Sequence, residues 1–166
     1  MKLFLLLSIT GALWAQNPMS ADAKALYEGV RNNLIKAADK MPEENYSFKP
    51  VPEVRSFGQL VGHVADAQYL FCSAVKGEKV APKGIEKTKT SKADLTAALK
   101  EAFAYCDAAY AAMTDADAAK ITKFFGRERA NITVLHFNNS HNNEHYGNIV
   151  TYMRIKGLVP PSSEGR

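Results

Sequence analysis

The sequence predicts an all-α protein, a four-helix bundle with long crossover loops. Three observations lead there. Four segments of about twenty residues repeat apolar side chains at helical spacing. Capping and stop residues bracket those segments. Nothing in the chain shows the alternation of a strand. Four such helices within 166 residues suit one bundle domain.

The first stretch stands apart from that domain. Lys2 precedes an apolar run, Leu3 to Trp14, that is too short to span a bilayer comfortably. Ala15 follows, and the stretch reads as a secretory signal peptide over residues 1–15, cut after Ala15. Leu13 at the minus-three position leaves the cut itself open, and an uncleaved anchor is the alternative. The bundle domain is then 16–166, exported to a periplasm or the extracellular space. Without Lys2 the chain carries 20 basic against 17 acidic residues, a net of +3. These charges are scattered, with no block for nucleic acid or a membrane surface. No second apolar run is long enough to insert in a membrane after cleavage.

The first helix covers Ser20 to Met41, with Ser20 as cap and Pro42 as stop. Ala23, Leu26, Tyr27, Val30, Leu34, Ala37, Ala38 and Met41 form its apolar face. Glu43 to Arg55 has two X-Pro steps and reads as an extended linker, with Tyr46, Phe48 and Val51 packing back onto the helices. The second helix runs from Ser56 to Lys76, capped by Ser56 and stopped by Gly77; Leu60, His63, Ala67, Leu70, Phe71 and Ala74 share one face. The lysine-rich stretch Gly77 to Thr90 reads as a solvated crossover. Ser91 to Met113 is the third helix, an apolar scaffold opened by a Ser91/Asp94 capping pattern. Thr114 to Ala130 is a connection whose Phe124 and Phe125 plug one end of the bundle. A sharper reading has Arg127 or Arg129 approach an anionic substrate. The fourth helix spans Asn131 to Lys156, with Gly157 and Pro160-Pro161 beyond it. Cys72 and Cys106 both fall inside helices. Free cysteine is a common small core residue there, and an exported chain can also hold a bridge.

The chemistry lies on the fourth helix. His141 and His145 are one turn apart, so their rings share a face. Neutral imidazoles at this spacing can hold one divalent ion, and His63, set in the apolar face of the second helix, is the best third ligand. Zinc or nickel suits such a donor set, and iron or manganese would be accepted. Asp66 is a second partner or extra ligand, or a plain surface acid. The inward line Val134, Asn138, His141, His145, Asn148 and Tyr152 is too polar for an ordinary core stripe. For Asn142 and Asn143 a polar outer face is the simpler reading. His136, five residues before His141, points elsewhere. His141 to His145 also spells H-x-x-E-H, an inverzincin pattern. Glu144 lies about 100° round from His145, and no sheet pattern offers to bind a peptide strand, which argues against a protease.

The segments SFGQLVGHVADAQYLFCSAVKG and HNNEHYGNIVTYMRIKGLVPPS resemble the DinB-like superfamily of small four-helix bundles, and the resemblance covers essentially the whole mature chain. It implies a three-histidine metal site at His63, His141 and His145, often with zinc or nickel, and frequent homodimers. Some relatives are thiol-dependent transferases or isomerases. The export signal sets this chain apart, because low-molecular-weight thiols are scarce in an oxidising compartment.

Three functions remain open on the sequence. One is a metal-dependent enzyme for thiol transfer, isomerisation or hydrolysis of a small molecule or thiol, with Glu144, Asp66 and Tyr152 as candidates for proton transfer. Another is a module that binds metal or a small ligand without turnover. The third is a scaffold with packed histidines.

Overall fold

The computed structural model describes residues 17–165, so the leader read at residues 1–15 lies outside the described residues. Four long helices form the bundle: α1 (Pro18–Lys40), α2 (Phe57–Lys76), α4 (Lys92–Ala112) and α6 (Asn131–Ile155). Two short helices sit in the crossovers, α3 (Ile85–Thr88) and α5 (Asp115–Ala118), and a hairpin of β1 (Ile121–Phe124) and β2 (Arg127–Ala130) leads into α6. The hairpin corrects the strand-free expectation. Each strand is four residues long, too short to show a period in the sequence. No helix among the described residues is long and apolar enough to cross a membrane.

The long helices pack in the ring α1–α4–α2–α6, so α1 lies diagonal to α2 and α4 diagonal to α6. That arrangement requires the long crossovers. It also sets α2 against α6, the two helices that carry histidines at the centre of the fold. Local signals fix the helix ends. Ser56 accepts from the Gln59 amide while Gln59 returns a bond to the Ser56 amide, a complete capping box, and Gly77 ends α2 at φ 67°. Ser91 caps α4 through the Asp94 amide. α1 begins two residues before the expected Ser20 cap. Its free amides at Met19 and Ser20 donate to Asp115 of the crossover instead.

The core is continuous through all four long helices. Of the expected faces, Leu26 on α1, Leu70 on α2 and Val51 in the linker are exposed rather than packed. Tyr46 and Phe48 do pack back. The Tyr46 hydroxyl donates to the Ala38 carbonyl at 2.7 Å, and the Phe48 ring meets Tyr152 edge-on. Cys72 of α2 and Cys106 of α4 form a disulfide with Cα atoms 5.4 Å apart, so the free-cysteine reading gives way to the bridge.

Candidate metal centre

His63 projects from the middle of α2, and His141 and His145 from successive turns of α6. The Nε2 atoms of His63 and His145 each lie 3.1 Å from Nε2 of His141. One ring nitrogen from each residue falls within 4.8 Å of the others. Two nitrogens bound tetrahedrally to one ion at ~2.0–2.1 Å lie ~3.3 Å apart, so the spacing fits a shared ion. Three nitrogens converging through their lone pairs repel unless a cation or proton lies between them, and the cluster could hold a metal ion.

A carboxylate fixes one ring. His63 Nδ1 lies 2.9 Å from Oε2 of Glu86, so its proton sits on Nδ1 and its Nε2 lone pair faces the other histidines. Arg55 holds the other Glu86 oxygen at 2.8 Å. Burial works to raise the Glu86 carboxyl, and the bonds from Arg55 and His63 outweigh it, leaving it below its ordinary value. The placement of Glu86 is itself built. Asp66 accepts from the amides of Ile85 and Glu86, which docks α3 onto α2. Gly62 leaves room for this contact, since a Cβ there would stand 2.7 Å from the Glu86 Cα. Asp66 is therefore neither an extra ligand nor a plain surface acid. It positions the residue that positions His63. The crossover read as merely solvated supplies that residue, and a glycine inside a helix, four residues before an aspartate, was the signal for it.

The other two rings are held by burial. Nδ1 of His141 and Nδ1 of His145 are buried without hydrogen-bond partners among the described residues. Burial, helped by the nearness of His145, His63 and Arg55, each of which would repel a second positive charge, pushes His141 down to about 3. His145 is lowered by burial and then by His63, with Glu144 pulling the other way. Both rings are neutral near pH 7, the form that binds metal.

Next to the histidines in the α2–α6 seam lies a buried amide network. Gln68 donates to Asn142 Oδ1 at 2.8 Å and accepts from Asn138 at 3.1 Å. Asn142 is thus a core residue and not part of a polar outer face. Gln68 and the buried Asn139, which donates to the Ala23 carbonyl, went unread in the sequence. Asn143 is exposed as expected, and Asn148 is exposed on the wall of a cleft rather than inward.

Two clefts flank the histidines. One, of about 660 Å³, is polar and lies between the Lys49–Arg55 strap and α6, with His145, Glu144 and Tyr152 on its wall. The other, of about 600 Å³, is mostly apolar and has His63 and His141 in its wall. Of the proton-transfer candidates, Asp66 is committed to backbone amides, and the Tyr152 hydroxyl donates to the Arg55 carbonyl. Glu144 is exposed beside His145. Arg129 lies over the Phe137 ring and Arg127 is exposed on β2; of the two aromatics expected to plug that end, Phe124 is buried against Phe71 and Phe125 is exposed in the turn. His136 is exposed.

A family model for the DinB superfamily matches residues 26–149. The chain belongs to the DinB superfamily. Within it, the chain is 26% identical over 130 residues to the uncharacterized protein YjoA of Bacillus subtilis strain 168, spanning 76% of this chain and 84% of YjoA. Two solved DinB-like structures share the fold. One, from Bacillus cereus ATCC 10987, is 22% identical with a TM-score of 0.75, covering 85% of this chain and 95% of its own. The other, YjoA of B. subtilis, is 24% identical with a TM-score of 0.71, covering 87% and 99%.

Proposed function

We propose that this DinB-superfamily chain is an exported divalent-metal-binding protein, with His63, His141 and His145 as ligands of zinc or nickel. The centre serves a metal-dependent reaction on a small molecule: thiol transfer, isomerisation or hydrolysis. The observation that carries the reading is the convergence of three Nε2 atoms, one of them aimed by Glu86. When bound, a divalent ion supplies Lewis acidity at that point. His63 and His141 present it to the apolar cleft and His145 to the polar one. Three protein ligands leave coordination positions for substrate, the pattern of catalytic rather than structural sites. Glu144, next to His145 on the wall of the polar cleft, makes no hydrogen bond or ion pair among the described residues, so proton movement falls to it. The Cys72–Cys106 bridge supports export, since such bridges persist in oxidising compartments.

A second reading, binding without turnover, draws on the commitment of Asp66 and Tyr152 to the backbone. Metal analysis by plasma mass spectrometry tests the shared claim. Untagged protein should carry about one ion per chain, and His141→Ala and His63→Ala should each lose it. Protein that takes up no zinc, nickel or iron on reconstitution would sink the metal claim and leave only a small-ligand form of the second reading. With metal established, an activity screen in which Glu144→Gln is silenced and keeps its metal favours the enzyme.

A further inference from the structure

We propose that the apolar cleft beside His63 and His141 binds the hydrocarbon tail of a small anionic ligand whose head is directed at the three histidines. The assignment rests on the metal reading and adds the substrate class to it. Ala67, Leu70 and Phe71 of α2 face Val80 and Pro82 of the crossover, and Phe125 stands at the mouth. The volume, about 600 Å³, falls among those of small-molecule sites. The cleft is continuous with the centre, because two of the histidines line it and the Phe71 ring centroid lies 5.6 Å from that of His141.

Phe125 is the second observation. It occupies the hairpin turn at φ 48°, followed by Gly126 at φ 75°. Such turns favour asparagine or glycine, and a bulky side chain at positive φ is strained. The ring is nevertheless 70% exposed, and Leu70 opposite is 48% exposed. One side of the ring rests on Phe124, with centroids 4.2 Å apart, and the rest is open; the turn geometry itself does not call for an aromatic ring, and strain of this kind clusters at ligand sites. Charge selects the head. Neutral imidazoles leave both charges of a divalent ion uncompensated, and Lys83 and Lys87 stand on the rim. The two acids that line the cleft have bonded oxygens, Asp66 with backbone amides and Glu86 with Arg55 and His63.

Straight-chain carboxylates from acetate to octanoate are the probes, titrated calorimetrically into zinc-loaded protein. Affinity should tighten roughly fourfold per methylene. Phe125→Ser should cut that increment to below about twofold, and Val54→Ser, on the wall of the polar cleft, should keep it. Both side chains are at least partly exposed, and circular dichroism checks that each variant folds. The metal-free protein is read by NMR, where octanoate should shift resonances of Leu70, Phe71 and Phe125. Those shifts in a protein that takes no zinc would support the cleft while the metal reading fails. Affinity independent of chain length, with no shifts in the cleft, overturns the proposal. So does an increment lost in Val54→Ser and kept in Phe125→Ser, which puts the tail in the polar cleft. A dimer that dissociates on Phe125→Ser and shows no chain-length increment also overturns it, since a second copy then covers the cleft.

Discussion

The α1–α4 side of the bundle and the α2–α6 seam are both deeply buried, but their chemistry is opposite. On the first side Tyr27 and Tyr110 stack with centroids 3.9 Å apart, and Phe103 meets Tyr27 edge-on. The buried phenol hydroxyls there bond to the carbonyls of Phe103 and Leu135; the Tyr27 hydroxyl also reaches Asp107, and the Tyr110 hydroxyl accepts from Asn138 where the two regions meet. In the seam, Gln68, Asn138, Asn142 and His145 are buried side by side. Buried polar groups need partners, and an amide network supplies most of them for one part of the seam, leaving Asn138 Oδ1 and Asn142 Nδ2 without one among the described residues. At the three histidines the converging nitrogens need a cation or a shared proton between them. The difference teaches how this bundle separates cohesion from chemistry: an apolar side holds the helices together, so the seam can present polar ligands. The Cys72–Cys106 bridge joins the two, running from the seam helix α2 to the scaffold helix α4.

The largest expected effect tests the cohesive side. Tyr27→Ala removes a fully buried ring and its hydrogen bonds to Phe103 and Asp107. Urea unfolding should show a loss of about 3–5 kcal/mol, the usual range for truncating a buried aromatic. Metal stoichiometry in the folded fraction should stay that of the parent protein. A variant that loses metal while remaining folded would show that the two sides are not separate.

Glu86 sharpens the same division from the seam. Truncating it removes the acceptor for His63 Nδ1 and frees Arg55. Glu86→Ala should weaken zinc binding about 10- to 100-fold in competition with a chelator, the usual cost of losing such a partner. Stability of the metal-free protein should change by less than ~1 kcal/mol, because the pair is partly exposed. Glu86→Gln keeps an acceptor for Nδ1 and should recover part of the affinity. Equal losses in both variants would mean that negative charge, and not ring orientation, is what His63 needs.

The scaffold was more legible in the sequence than the surroundings of the site. Helix periods and caps are local, so the four long helices and the Ser56, Gly77 and Ser91 boundaries follow from neighbouring residues. The HxxxH spacing is local too, and that pair led to His63 on another element. Glu86 and Gln68 depend on contacts across the fold, over 23 and 74 residues to His63 and Asn142. Gly62 marks a close approach on α2, but no local pattern names the partner at such distances. Asn142 looked like surface because its partner is on α2, and Leu70 looked like core because an apolar side chain at helical spacing can also line an open cleft. The hairpin was hidden for a different reason: its strands offer only two residues to each face.

The smallest effect per unit change is a pH dependence that belongs to the seam alone. The unfolded chain takes up protons on histidine near pH 6.5, whereas burial holds His141 down to about 3 in the fold and lowers His145 as well. Over the interval between those values the unfolded state binds more protons. The stabilisation is therefore complete above about pH 6.5 and is lost as the pH falls toward the folded value. His141 contributes at most ~1.4 kcal/mol per pH unit across that interval. Carboxylates held low, such as Asp117 at about 2 beside Lys120, act only near and below the ordinary carboxylate range. The window from about pH 6.5 down to about 4.5 is thus the histidines' own. Urea titrations of metal-free protein across it should show stability falling with pH, and His141→Gln should flatten the fall. A slope that His141→Gln leaves unchanged would place the titration elsewhere and remove the electrostatic half of the contrast between seam and scaffold.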